Sequence, residues 1–299
     1  MNFTALRPPR AGSVDFVNGR TRLYGIVGHP IEQVRSPETV TFELQRRDLN
    51  AILLPIHIKP DEFSEVFPQI LRIGNLDGIV VTVPYKGRAL SHIHRAGQMA
   101  QLSGGVSVIG RSLDDRWVGE MFDGVGCIAA LLRRGVVLAG KRVLLLGAGG
   151  AGSAIAAELA RCAPADLFIH DPETQRAAEV IGKTSGAFPT TRVHAGLPPL
   201  EGIDVLVNAS PVGMLDANAS PLDVDRLPSQ MTVMDAIMDP DQTMLLRIAE
   251  ESGCQAVYGR EMLDSQIAAA CDFMLGIKTR MAEDVVFQVQ QSFQSLTQF

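Results

Sequence analysis

The sequence predicts an α/β protein of two domains, the second built on a doubly wound parallel sheet. Three observations predict it. Short apolar segments alternate with amphipathic stretches along most of the chain, which is the spacing of βαβ units. A single core rarely grows past about 250–300 residues, so a chain of 299 residues favours two domains. The apolar run Val143-Leu144-Leu145-Leu146 passes directly into Gly147-Ala148-Gly149-Gly150-Ala151-Gly152 and then an Ala-rich stretch from Ser153 to Leu159. Strand, glycine turn and helix in that order open one half of such a sheet.

Met1 to Arg20 holds Pro8-Pro9, Gly12 and Gly19 without helical period, which predicts an extended tail. Leu23 to Val27 reads as a strand, turned by Gly28-His29-Pro30. Ser36-Pro37 sets a capping hydroxyl before proline and predicts a helix to about Arg47. Ala51 to Ile56 is the next strand. A helix capped by Asp61 runs to about Ile73, and Gly78 to Val83 is a buried strand ended by Pro84. One helix is expected from Lys86 to Gly97, then a hairpin of Val106–Arg111 and Arg116–Val118 around Asp114-Asp115. Gly124 to Arg134 reads as a linking helix. Beyond the glycine turn, strands are expected at Asp166–His170, Val193–Ala195, Val205–Ala209, Met231–Asp235 and Gln255–Val257. Two amphipathic helices follow, Met262 to Leu275 and Ala282 to about Leu296.

The glycine turn predicts a bound dinucleotide. Gly147 permits the tight turn, Gly149 lets backbone N–H groups approach a pyrophosphate, and Gly152 lets the helix pack closely on the strand. Ala148, Gly150 and Ala151 complete the cradle. Asp171 ends the next strand at about the 20-residue spacing of a ribose-binding acid. The following residues, Pro172 and Glu173, contain no arginine for a 2′-phosphate, and the nearest is Arg176. NAD is therefore the expected cofactor, with NADP possible if Asp171 only caps the next helix.

Composition excludes other classes. A net charge of −6 without Lys/Arg clusters gives no attraction to nucleic acid or to an anionic membrane. No apolar stretch reaches the 18 or so residues of a span. Cys127, Cys162, Cys254 and Cys271 lie far apart with no C-x-x-C pair, so neither a zinc site nor a disulfide framework is implied, and a reducing cytoplasm is the expected compartment. His92 and His94 are two residues apart on an expected helix and face different ways, and no metal is expected.

From Arg22 onward the chain resembles the shikimate dehydrogenase family. The segments that carry the resemblance are Gly28-His29-Pro30-Ile31 with Ser36-Pro37, Val81-Thr82-Val83-Pro84-Tyr85-Lys86, Phe122-Asp123-Gly124-Val125-Gly126, the glycine turn, Asn208-Ala209-Ser210-Pro211-Val212-Gly213-Met214, Asp235 with Pro240 and Thr243, and Gln266 with Ala268-Ala269. The resemblance implies a substrate domain of residues 21–126 and 264–299, a Rossmann domain of residues 127–263, and a cleft between them. It implies interconversion of a ring hydroxyl and a ketone on a cyclic hydroxy acid such as shikimate or quinate. Lys86 and Asp123 would be the catalytic pair. Ser36, Thr82, Ser107 and Gln266 would hold the small-molecule substrate, and Asn208, Ala209, Ser210, Met238 and Gly259 would join the glycine turn around the cofactor. A monomer or homodimer is expected.

The chain departs from the family at polar positions. The first of its paired serines falls on Val34, its two asparagines on Val80 and Ser107, and the Asn-Thr before the catalytic acid on Met121-Phe122. At about 1 kcal/mol per neutral hydrogen bond, three or four such losses would weaken a standard substrate by several powers of ten unless other groups compensate. Two alternatives stay open: a dehydrogenase of a less polar cyclic alcohol, and a non-catalytic dinucleotide sensor on the same fold.

Overall fold

The computed structural model describes residues 17–276. Residues 1–16 of the expected tail, and the expected helix from Ala282, lie outside them. The chain forms two units. Among the described residues, the first comprises residues 17–101, Gly105–Met121 and residues 267–276; the second comprises Leu102–Gly104 and Phe122–Gln266.

In the first unit, β1 (Arg22–Gly28), β2 (Ala51–His57), β3 (Leu76–Val81), β4 (Arg95–Ala96), β5 (Val108–Arg111) and β6 (Trp117–Glu120) form a sheet of order β2-β1-β3-β5-β6-β4. β1 runs parallel to β2 and β3, because α1 (Ser36–Arg46) and α2 (Phe63–Ile70) supply helical crossovers. β5 is antiparallel to β3 and to β6, so the sheet is mixed. The β5–β6 hairpin turns at Asp115, whose φ is +64°.

Several local expectations are corrected here. Residues 86–97 are not one helix but α3 (Lys86–Leu90) and then β4, followed by α4 (Gln98–Ser103). Tertiary pairing overrides helical propensity: His94 N–H bonds Trp117 O at 2.8 Å and Gly97 N–H bonds Gly119 O at 2.8 Å. β3 stops at Val81 because Thr82 starts a turn, its carbonyl accepting Tyr85 N–H at 3.0 Å. Ser36 is the first residue of α1, with Arg35 in the cap position, and Glu62 rather than Asp61 precedes α2; neither cap makes a side-chain bond.

In the second unit, β7 (Arg142–Leu146), β8 (Asp166–His170), β9 (Arg192–Ala195), β10 (Val205–Asn208), β11 (Thr232–Asp235) and β12 (Gln255–Val257) form a sheet of order β12-β11-β10-β7-β8-β9 with every pair parallel. This is the doubly wound order, and its switch point lies between β7 and β10. The helices are α5 (Asp123–Arg133), α6 (Gly150–Arg161), α7 (Thr174–Ala187) and α8 (Met244–Glu251); α9 (Gly259–Met274) has residues in both units. The unbroken apolar character of β7 follows from cover on both faces. Val143 and Leu145 pack with Ile128, Ile155 and Leu159, whereas Leu144 and Leu146 pack with Leu206, Leu245 and Leu246. Among the described residues, no helix is long and apolar enough to cross a membrane.

Candidate active site

The glycine turn lies at the carboxyl end of β7, the edge where doubly wound sheets bind ligands. Gly147 has φ +95°, and a Cβ there would sit 2.7 Å from the backbone N of Ser210. A Cβ on Gly152 would lie 2.1 Å from Gly147 O, so glycine is what seats α6 against the turn. Gly149 faces open space, with no atom within 4 Å of a built Cβ. Tight backing, an open apex and the unpaired first N–H groups of α6 fit a pyrophosphate, with Gly147 to Gly152 as its cradle. Gly152→Ala should force the turn and helix apart, costing about 1–3 kcal/mol of stability and weakening dinucleotide binding; thermal melts with and without NAD measure both.

Asp171 is 6% exposed and serves the turn directly. Its Oδ2 accepts Ala148 N–H at 2.8 Å and its Oδ1 accepts Glu173 N–H at 2.9 Å. It is thus both the acid at the end of β8 and an anchor for the glycine loop.

The segment after β10 is held from beneath. Asn208 is fully buried; its Oδ1 accepts from Ser210 N–H at 3.0 Å and Ser210 Oγ at 2.7 Å, and its Nδ2 donates to Asp235 Oδ1 at 3.1 Å. Asp235, paired opposite Asn208 in the sheet, also accepts Ile237 N–H at 3.0 Å and Thr243 Oγ1 at 2.7 Å. Burial pushes the Asp235 carboxyl above its usual range, against the pull of those three donors. A Cβ on Gly259 would lie 2.2 Å from Ile237 O, so the start of α9 packs on the segment that leads to half-buried Met238. The structure therefore gathers Ala209, Ser210 and Gly147 at one place, and Gly259 with residues 236–238 at another. Asn208 itself has its side chain committed to the network. The role of Asp235 and Thr243 as the holders of this loop was not legible in sequence, although Thr243 before Met244-Leu245-Leu246 carried the signal of a helix cap.

In the first unit, the ends of β1, β3 and β6 and the start of β5 share one edge, where Val81 N–H bonds Ser107 O at 2.8 Å and Ser107 N–H bonds Glu120 O at 3.1 Å. Thr82 and Ser107 are brought to this edge; Ser107 is buried and Thr82 half-buried. Lys86 opens α3 just beyond β3. Its position is set by Tyr85, which is fully buried, donates its hydroxyl to Ile58 O and stacks on Phe63 with ring centroids 4.2 Å apart. On the other side, Val106 N–H bonds Lys86 O at 3.0 Å. Ser36, buried at the start of α1, has its hydroxyl outside the cap position.

Asp123 and Gln266 belong to the second unit. Asp123 is the first residue of α5 and 6% exposed. One turn on, a Cβ at Gly126 would lie 3.0 Å from Gln266 Oε1, and that oxygen is buried without a hydrogen-bond partner among the described residues. Such an atom is open to a ligand donor. Among the described residues, no cluster of His, Cys, Asp or Glu could hold a metal ion.

Sheet order, switch point and glycine turn define the second unit as a dinucleotide-binding domain of the Rossmann class. The family model described as the shikimate dehydrogenase substrate-binding domain matches residues 26–109. A shikimate dehydrogenase (NADP(+)) of Geobacter metallireducens is 32% identical over 271 residues, covering 88% of this chain and 94% of that protein. The structure of a 5-ketofructose reductase from Gluconobacter superposes with a TM-score of 0.76 at 26% identity, covering 92% of this chain and 99% of that one. A shikimate 5-dehydrogenase from Listeria monocytogenes, in complex with shikimate and NAD, gives a TM-score of 0.78 at 26% identity over 92% of this chain and 97% of that one. The chain belongs to the shikimate dehydrogenase family.

Proposed function

We propose that the protein is an NAD-preferring dehydrogenase of a cyclic hydroxy acid of the shikimate or quinate type. The observation that carries the cofactor preference is Asp171, a carboxylate at the end of β8 tied to the glycine turn by Ala148 N–H at 2.8 Å. There it accepts from free ribose hydroxyls and repels a 2′-phosphate. The Listeria relative was crystallised with NAD, whereas the Geobacter relative is named for NADP, so the family accommodates both. The four cysteines are free and buried, in keeping with a reducing cytoplasm.

When bound, the nicotinamide exchanges a hydride with the carbon that bears the substrate oxygen. The proton on that oxygen is the task of Lys86, whose ammonium stabilises the charge developing on the reduced carbonyl and then donates to it. Asp123 is assigned to the substrate hydroxyl, as the carboxylate partner of that chemistry. Ser36, Thr82, Ser107 and Gln266 bind the substrate, the partnerless Oε1 of Gln266 accepting one of its hydroxyls. Val34 and Val80 stand where the family carries polar groups, which argues for a ligand with fewer polar contacts than shikimate makes elsewhere in the family.

The test is nicotinamide absorbance, with NAD and NADP for shikimate and quinate and with NADH and NADPH for dehydroshikimate and 5-ketofructose. Turnover of shikimate, quinate or dehydroshikimate supports the proposal, and turnover of 5-ketofructose alone overturns its substrate class. Silence from all four, with NAD still raising Tm, points instead to a dinucleotide sensor. Asp171→Ala should lower the NAD-to-NADP ratio of kcat/KM by about tenfold, the effect of one charge beside the ribose. An unchanged ratio would reduce Asp171 to a loop anchor.

A further inference from the structure

The adenosine end of the second unit holds a charge arrangement that the carboxylate of Asp171 does not account for. Arg176, in the first turn of α7, pairs with two acids at once: Nη1 donates to Asp171 Oδ1 at 3.4 Å and Nη2 donates to Glu173. Asp171 Oδ1 in turn accepts Glu173 N–H at 2.9 Å, which closes the three residues into one group. Asp171 is 6% exposed, whereas the side chains of Glu173 and Arg176 are 59% and 46% exposed. The group joins the glycine turn through Ala148 N–H on Asp171 Oδ2, placing it where a doubly wound fold receives the first ribose.

An arginine at this place is the usual receptor for a ribose 2′-phosphate, because its planar fork matches the phosphate oxygens. Here the cation is already matched. One guanidinium and two carboxylates leave the group with one net negative charge, which repels a phosphate that itself carries nearly two. We propose that Glu173 is a cofactor-specificity residue, holding Arg176 in an ion pair and so converting a would-be phosphate receptor into a site that rejects it. Without the Glu173 charge, Arg176 keeps only its longer contact to Asp171 at 3.4 Å, and its fork is left with donors for a phosphate. The inference rests on the reading of this turn as an NAD site.

The test needs no substrate. Binding of ADP and of 2′,5′-ADP is measured by calorimetry on the full chain and on Glu173→Gln, Arg176→Ala and the double variant. Glu173→Gln is expected to tighten 2′,5′-ADP by about tenfold, with ADP within about twofold, and the double variant to lose that gain. Arg176→Ala alone leaves two carboxylates without their cation and should weaken 2′,5′-ADP further, by about tenfold, with ADP affected less. An unchanged 2′,5′-ADP to ADP ratio in Glu173→Gln overturns the proposal, as does a gain that persists in the double variant, which would owe nothing to Arg176. A merely structural Glu173 would weaken both ligands together. Tighter binding of 2′,5′-ADP than ADP by the unaltered protein would sink the NAD preference, and the Glu173→Gln ratio would then still decide the ion pair separately.

Discussion

Lys86→Ala is expected to lower kcat by at least about a hundredfold while dinucleotide affinity and Tm stay nearly unchanged. A positioned proton donor contributes roughly 10²–10⁴-fold, and no other group in the first unit is assigned that task. Stability should be largely spared because the segment has anchors besides the lysine side chain. The buried Tyr85 fixes it through its hydroxyl on Ile58 O and its stack on Phe63, and the backbone of Lys86 is held by Val106 N–H at 3.0 Å. The alanine variant keeps all of these. Lys86→Arg separates charge from proton transfer, since a guanidinium keeps the positive charge but does not release a proton near neutral pH; it should be nearly as slow as the alanine variant. Steady-state rates beside NAD titrations of the same preparations provide the check. An alanine variant with substantial turnover would remove Lys86 from the mechanism.

The second unit was legible because its central strands are covered on both faces. β7, β8 and β10 are runs whose alternate residues feed two cores, so their apolar content alone marks them within a residue or two. The glycine turn was legible for a different reason, since its steric demands are local: only a residue without Cβ fits 2.1 Å from Gly147 O. What sequence left open depends on distant partners. The expected helix over Lys86 to Gly97 gives way to β4 because Arg95 and Ala96 pair with Val118 and Gly119, a pairing no local window contains. Asn208 was expected beside the cofactor, and what its local sequence did not carry is the register that sets it opposite Asp235, where its side chain holds the loop. Asp171 read as a ribose acid, and its bond to Ala148 shows that the same carboxylate shapes the turn.

Asp235→Ala should be the most destabilising single change in the second unit, by about 3–5 kcal/mol in urea unfolding. It strips the acceptor from Asn208 Nδ2, Thr243 Oγ1 and Ile237 N–H together, and Asn208, Thr243 and Ile237 are all buried. Each orphaned buried donor costs about 1–3 kcal/mol, and neighbours in one network do not add fully. Asp235→Asn should behave quite differently. Asn208 and Ile237 both donate to the same oxygen, Oδ1, which an asparagine retains. Its amide can donate to Thr243 Oγ1, whose remaining lone pair still takes Leu246 N–H at 3.3 Å. The asparagine variant should therefore lie within about 1 kcal/mol of the parent at neutral pH, and it removes a titration. Burial raises the Asp235 carboxyl above its ordinary 3.8, so folding favours the protonated acid. That contribution is complete below pH 3.8 and is lost as pH rises through the higher folded value. Stability of the parent minus that of Asp235→Asn should accordingly fall as pH climbs from about 4 and level off once the carboxylate has formed. Urea melts of both proteins across that range measure the difference directly, and a difference that rose with pH would mean that the three donors outweigh burial at this site.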